Sequence, residues 1–96
     1  MLNITIRPRA TLDLQNIWRF STQRWGIQQA NRCIADLEKA IMAIPANPQA
    51  GVAIDFVRPG YRKTTARNHL IIYRLSEISV EVVRVLSQKM DIDNHL

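Results

Sequence analysis

The sequence predicts an α+β domain in which a helical hairpin packs on a small antiparallel sheet. Apolar residues recur at helical spacing in the first half of the chain and at strand spacing in the second half. Because 96 residues are too few for two separate cores, we expect one domain over residues 1–96. The predicted order is strand, helix, helix and three strands, with the helices covering one face of the sheet.

The N-terminal segment LNITIRP alternates apolar and polar side chains. Leu2, Ile4 and Ile6 share one face, which predicts a strand that the following proline ends. Over residues 10–24 the apolar spacings of three, four and seven predict a first helix.

A second amphipathic helix is predicted over residues 27–44, where the apolar positions step by three and four. Gly26 lies between the two helical patterns, and glycine suits the left-handed conformation with which many helices end. We therefore expect the two helices to form an antiparallel hairpin. The segment PANPQAG, residues 45–51, is predicted to be a loop.

Three strands are predicted in the second half: YRKTTAR, HLIIYRL and SVEVVRVLS. The connections between them are N and SEI, which are short enough for antiparallel hairpins.

The charge balance favours an acidic partner. Thirteen Lys and Arg residues against eight Asp and Glu give a net charge of +5, which suits nucleic acid, an acidic polypeptide or an anionic surface. The sequence has neither a membrane-length apolar run nor the pattern of a signal peptide, so we expect a cytoplasmic protein. The single cysteine, Cys33, excludes an internal disulfide and is expected to be a small core residue.

A cluster of basic residues spans the first of the three later strands and continues into the second. This basic strip contains no carboxylate and consists of Arg58, Arg62, Lys63, Arg67 and Arg74. If the strand is regular, Lys63 and Arg67 share one face with Tyr61, and Arg62 lies on the other. Two interpretations remain open, a solvated sheet face and a groove for phosphates or carboxylates.

Arg84 interrupts a valine run, at a position whose parity calls for an apolar side chain. Such a guanidinium needs a partner or access to solvent. One interpretation pairs it with Asp91, Asp55 or a chain terminus; the other places it beside Arg62 and Arg74 on a concave face that meets an anion.

The aromatic and titratable residues carry weaker signals. Trp18 and Trp25 lie seven residues apart on one helix face, where core packing is the default, but Trp25 at the hairpin tip is also a candidate interaction anchor. His69 and His95 do not occur at a spacing that marks an active site. The acidic run that ends at His95 is typical of a solvated tail, so no metal site is predicted.

Five segments resemble the ParE branch of the RelE/ParE superfamily of type II toxin-antitoxin toxins: ATLDLQNI, WGIQQA, RPGYR, NHLIIYR and VVRVLSQKMDIDNHL. The resemblance implies the fold predicted above and a toxin that traps DNA gyrase on cleaved DNA. It also implies a ParD-type antitoxin bound in a hetero-oligomeric complex, and no cofactor. The residues expected to contact antitoxin or target are Arg58, Arg62, Lys63, Arg67, Arg74, Arg84, Trp25, Met90 and Asp91.

The RelE branch of the superfamily implies an alternative, cleavage of mRNA on the ribosome. Arg62, Lys63 and Arg84 would then be the cations and His95 a titratable group, although no tyrosine follows Arg84. A further alternative is a member that binds its antitoxin and is not toxic. Relative to the ParE pattern, Ser87 stands where a histidine is common, and we expect the tail to pack through Met90 and Leu96.

Overall fold

The computed structural model describes residues 2–87 and confirms a helical hairpin packed on one face of a sheet. The elements are β1 (Asn3–Ile6), α1 (Pro8–Trp25), α2 (Ile27–Ala43), a 3₁₀ turn (Ile44–Ala46), β2 (Val52–Ala53), β3 (Tyr61–Ala66), β4 (His69–Leu75) and β5 (Ser79–Ser87).

The sheet has five strands in the order β1-β5-β4-β3-β2, which differs in two details from the prediction. It is mixed, because β1 pairs in parallel with β5, whereas the other neighbours are antiparallel. It also gains the two-residue strand β2, which extends the edge of β3 just after the predicted loop. β5 lies inside the sheet, parallel to β1 on one side and antiparallel to β4 on the other.

The helices reverse at Gly26, as predicted. Its φ of 91° lies in the range that favours glycine, and its backbone N–H donates to the Thr22 carbonyl oxygen at 3.0 Å. Within the described residues, neither helix is long and apolar enough to cross a membrane.

Two apolar clusters lie on opposite faces of the sheet. The inner cluster, between sheet and helices, includes Ala10, Leu37, Ile41, Ile71, Tyr73, Val80, Val82 and Val85. The outer cluster, on the face away from the helices, consists of Ile54, Tyr61, Ile72, Val83 and Leu86.

A β-bulge in β5 overturns the predicted parity of the valine run. Tyr73 is opposite Val82 and Ile72 is opposite Arg84, so Val83 is the extra residue. After the bulge Val85 packs in the inner cluster and Leu86 in the outer one. Arg84 therefore does not continue the row of Val80 and Val82, because the inserted residue changes the alternation.

The loop before β2 is held by the sheet. Tyr73 donates its hydroxyl hydrogen to the Pro48 carbonyl oxygen at 2.7 Å, and Arg62 donates to the carbonyl oxygens of Gln49 and Gly51 at 3.2 and 2.6 Å. Burial raises the pKa of Tyr73, so this hydroxyl remains a donor.

Gly51 leaves no room for a side chain. A Cβ there would lie 2.9 Å from the Lys63 carbonyl oxygen and would overlap the Tyr73 hydroxyl. We predict that Gly51→Ala destabilises the fold by about 1–3 kcal/mol. Adding Tyr73→Phe, which removes the overlapping oxygen, should recover part of that loss in urea unfolding. Equal stability of Gly51→Ala and the unmodified chain would contradict this packing.

Candidate partner-binding groove

The Asp13 carboxylate joins α1 to the end of β5. Arg84 Nε donates to Asp13 Oδ2 at 2.7 Å and a terminal nitrogen donates to Oδ1 at 2.9 Å, so the ion pair is bidentate. The Val85 amide also donates to Oδ2, at 3.0 Å. Both charged side chains are 13% exposed, and the hydrogen bonds to Asp13 raise the pKa of Arg84.

Within residues 2–87 Arg84 pairs with Asp13, which was not among its predicted partners. Asp55, one predicted partner, instead accepts a hydrogen bond from the Gly60 amide at 2.8 Å. Asp91, the other, lies outside the described residues, as do Met90 and His95. Asp13 is 71 positions away in the chain, a separation at which the sequence pattern carries no pairing signal.

Two members of the basic strip are engaged inside the fold. Arg62, opposite Tyr73 on the helix side of β3, holds the loop carbonyls described above. Arg67 lies in the turn after β3, with φ 54°. Its guanidinium pairs with Asp36 on α2 at 2.7 Å. The predicted strip is thus divided between both faces of the sheet and one turn.

Two further members, Lys63 and Arg74, lie on the outer face. Lys63 is opposite Ile72 and Arg74 is opposite Tyr61, both residues of the outer cluster. The predicted face shared by Tyr61 and Lys63 is therefore present, although Arg67 does not join it. Arg58 is exposed in the loop that precedes β3.

A groove of about 920 Å³ runs between the helical hairpin and the ends of β4 and β5. Its lining combines apolar side chains, among them Ile17, Cys33 and Val85, with cations. Among the described residues of the lining, Arg24, Arg67 and Arg84 contribute positive charge, and Asp13 contributes a carboxylate. Such a groove suits a segment with both apolar and acidic side chains.

An aromatic cluster at the hairpin tip forms one rim of the groove. Phe20 and Trp25 are 55% and 61% exposed and meet edge to face, with centroids 6.1 Å apart. The Arg24 guanidinium lies 5.8 Å from each ring centroid. Trp18, by contrast, donates its indole N–H to Asn31 at 2.8 Å and ties the two helices together. Phe20 was not among the predicted site residues, because it lies off the apolar stripe of α1.

His69 lines the same groove and lies opposite Ser87. An imidazole is thus present across from the position where the ParE pattern has a histidine. The buried Nδ1 finds no hydrogen-bond partner within residues 2–87. Burial, followed by the Arg67 charge, lowers the pKa of His69, so the ring is neutral near pH 7. Among residues 2–87, no group of three metal-ligating side chains is placed to hold a metal ion.

Sequence similarity assigns this fold to a class of proteins. Residues 4–92 match the family described as ParE toxin of type II toxin-antitoxin system, parDE. Toxin ParE1 of Mycobacterium tuberculosis is 44% identical over 92 residues, which cover 95% of this chain and 94% of the relative. Toxin ParE1 of Caulobacter vibrioides is 39% identical over 88 residues, covering 92% and 91%. The chain belongs to the ParE toxin family.

The solved structures agree on the fold. The chromosomal ParDE toxin-antitoxin system from P. aeruginosa contains a chain that superposes with a TM-score of 0.81 at 20% identity. The superposition covers 91% of this chain and 96% of that one. The RelE/ParE-like architecture that the sequence predicts is thereby confirmed.

We predict that Asp13→Asn destabilises the fold by about 2–3 kcal/mol, because the bidentate charged contact between Arg84 and Asp13 would be lost in a largely buried place. The matched control is Asp36→Asn, which breaks an ion pair whose Asp36 side chain is 54% exposed and should cost less than about 1 kcal/mol. Urea unfolding of both variants measures the difference. Equal losses would show that burial does not strengthen the Asp13 contact.

Proposed function

We propose that this toxin acts by binding DNA gyrase in the cytoplasm, without catalysing a reaction of its own, and that a ParD-like antitoxin neutralises it. The observation that carries the proposal is that the three cations expected in a ribonuclease site lie apart in the structure. Arg62 holds a loop, Arg84 is paired with Asp13, and Lys63 lies on the outer face. Metal-free cleavage of RNA needs cations and proton-transfer groups converging on one phosphate, which this separation does not favour.

The groove supports the antitoxin half of the proposal. Its exposed aromatic rim and its cations suit an acidic segment that folds on binding, with apolar side chains against Phe20 and Trp25 and carboxylates near Arg24 and Arg67. The resulting complex contains both chains, and the antitoxin covers the groove.

The target is tested by adding the purified toxin to gyrase. We expect loss of supercoiling and accumulation of cleaved DNA, and preincubation with the antitoxin should prevent both. The matched assay is mRNA on translating ribosomes, which should remain intact. Unchanged gyrase activity together with cut mRNA would replace this proposal by the ribonuclease alternative.

The antitoxin site is tested by Trp25→Ala. Loss of an aromatic anchor costs about 2 kcal/mol or more, so we expect antitoxin affinity to fall at least about 30-fold. The control is Phe56→Ala, which removes an even more exposed ring, 84% accessible, in the loop between β2 and β3. Calorimetric titration should leave that control within about twofold of the unmodified toxin. Similar losses in both variants would argue against the groove.

A further inference from the structure

The outer face of the sheet has a different chemistry from the groove. The members of the outer cluster are already covered: Ile54 and Ile72 are 0% exposed, and Leu86 is 1% exposed. Val52, opposite Lys63 at the edge of the sheet, is 62% exposed, but within residues 2–87 the cluster itself offers no apolar pocket to a partner. An acidic amphipathic segment, which gains much of its affinity from apolar burial, would find little to bury here.

Cations surround this closed cluster. Arg74 is exposed and neighbours Tyr61 on one side and Glu81 on the other, while Lys63 lies two residues along β3. Neither Lys63 nor Arg74 has an ion-pair partner among residues 2–87. Diagonal neighbours of this kind are about 7–8 Å apart, so two long side chains can reach separate anionic groups.

Glu81, the carboxylate opposite Arg74 on β5, is already neutralised by an ion pair. Arg7 pairs with Glu81 and also donates to the Tyr61 hydroxyl at 3.5 Å. Arg58 adds an exposed cation beside Tyr61, whose amide donates to the Arg58 carbonyl oxygen at 3.2 Å. We name Arg58, Lys63 and Arg74 the outer basic face.

We propose that the outer basic face binds the phosphate backbone of duplex DNA, without reading its sequence. Spaced cations around a closed apolar cluster suit a polyanion that brings no apolar side chains. The choice of duplex DNA rests on the proposed function, because a gyrase poison works where the enzyme holds DNA. The toxin would then touch enzyme and DNA through separate surfaces.

The experiment compares two double variants that remove the same charge. Lys63→Gln with Arg74→Gln alters the outer basic face, and Arg19→Gln with Arg32→Gln alters exposed positions on α1 and α2. Each is titrated with a short labelled DNA duplex at several salt concentrations. The first variant should flatten the dependence of log affinity on log salt by about 1.8, since each lost phosphate contact removes about 0.9. The second should change the slope by less than half as much.

The same titration defines the outcomes that overturn the proposal. Equal salt slopes for the two variants would mean that net charge alone, and not the outer basic face, accounts for DNA binding. An acidic peptide of matched charge that bound as tightly as the duplex would make the face a protein site, and tighter binding of single-stranded RNA would favour the ribonuclease. Urea unfolding of each variant, with a free energy of unfolding close to that of the unmodified toxin, confirms that both are folded.

The gyrase assay separates this proposal from the proposed function. If the toxin poisons gyrase but does not bind the duplex, only the outer-face proposal fails. If it binds the duplex through Lys63 and Arg74 but leaves gyrase unaffected, only the gyrase target fails.

Discussion

The Asp13 carboxylate is the contact on which the position of the groove depends. β1 ends opposite Val82, so the last residues of β5 extend beyond the strand that pairs with their first half. At that point α1 supplies Asp13, which accepts hydrogen bonds from Arg84 and from the Val85 amide. The helix is thereby fixed to the sheet, and the groove opens on the C-terminal side of this contact.

The bulge at Val83 and the ion pair between Asp13 and Arg84 are structurally linked. In a regular strand, Arg84 would share a face with Val80 and Val82, where an apolar side chain is expected. The inserted residue instead keeps Val85 in the inner cluster and Leu86 in the outer one, while Arg84 reaches Asp13. Both apolar faces remain filled even though the strand contains a charged residue.

Local patterns in the sequence predicted the helices, the reversal at Gly26 and the three later strands, because spacing and turn chemistry act over a few residues. They did not predict the partners of the cations. Arg67 meets Asp36 across 31 positions and Arg84 meets Asp13 across 71, and nothing local marks either pair. The basic strip was therefore treated as one surface, although tertiary structure divides its members between structural contacts and two separate surfaces. The exposed rim at Phe20 was missed for a related reason, since an apolar residue off the helical stripe has no periodic signal.

β5 is the last strand in the described sequence, yet it lies inside the sheet between β1 and β4. Its contacts with β1 and with Asp13 join the two ends of residues 2–87. Contacts of such long sequence separation form late, because the loop between them must close first. A ribosome delivers the N-terminal part first, at about 5–20 residues per second. The groove therefore cannot form on a nascent chain until β5 has emerged, because β5 supplies Arg84, Val85 and Leu86 to its lining.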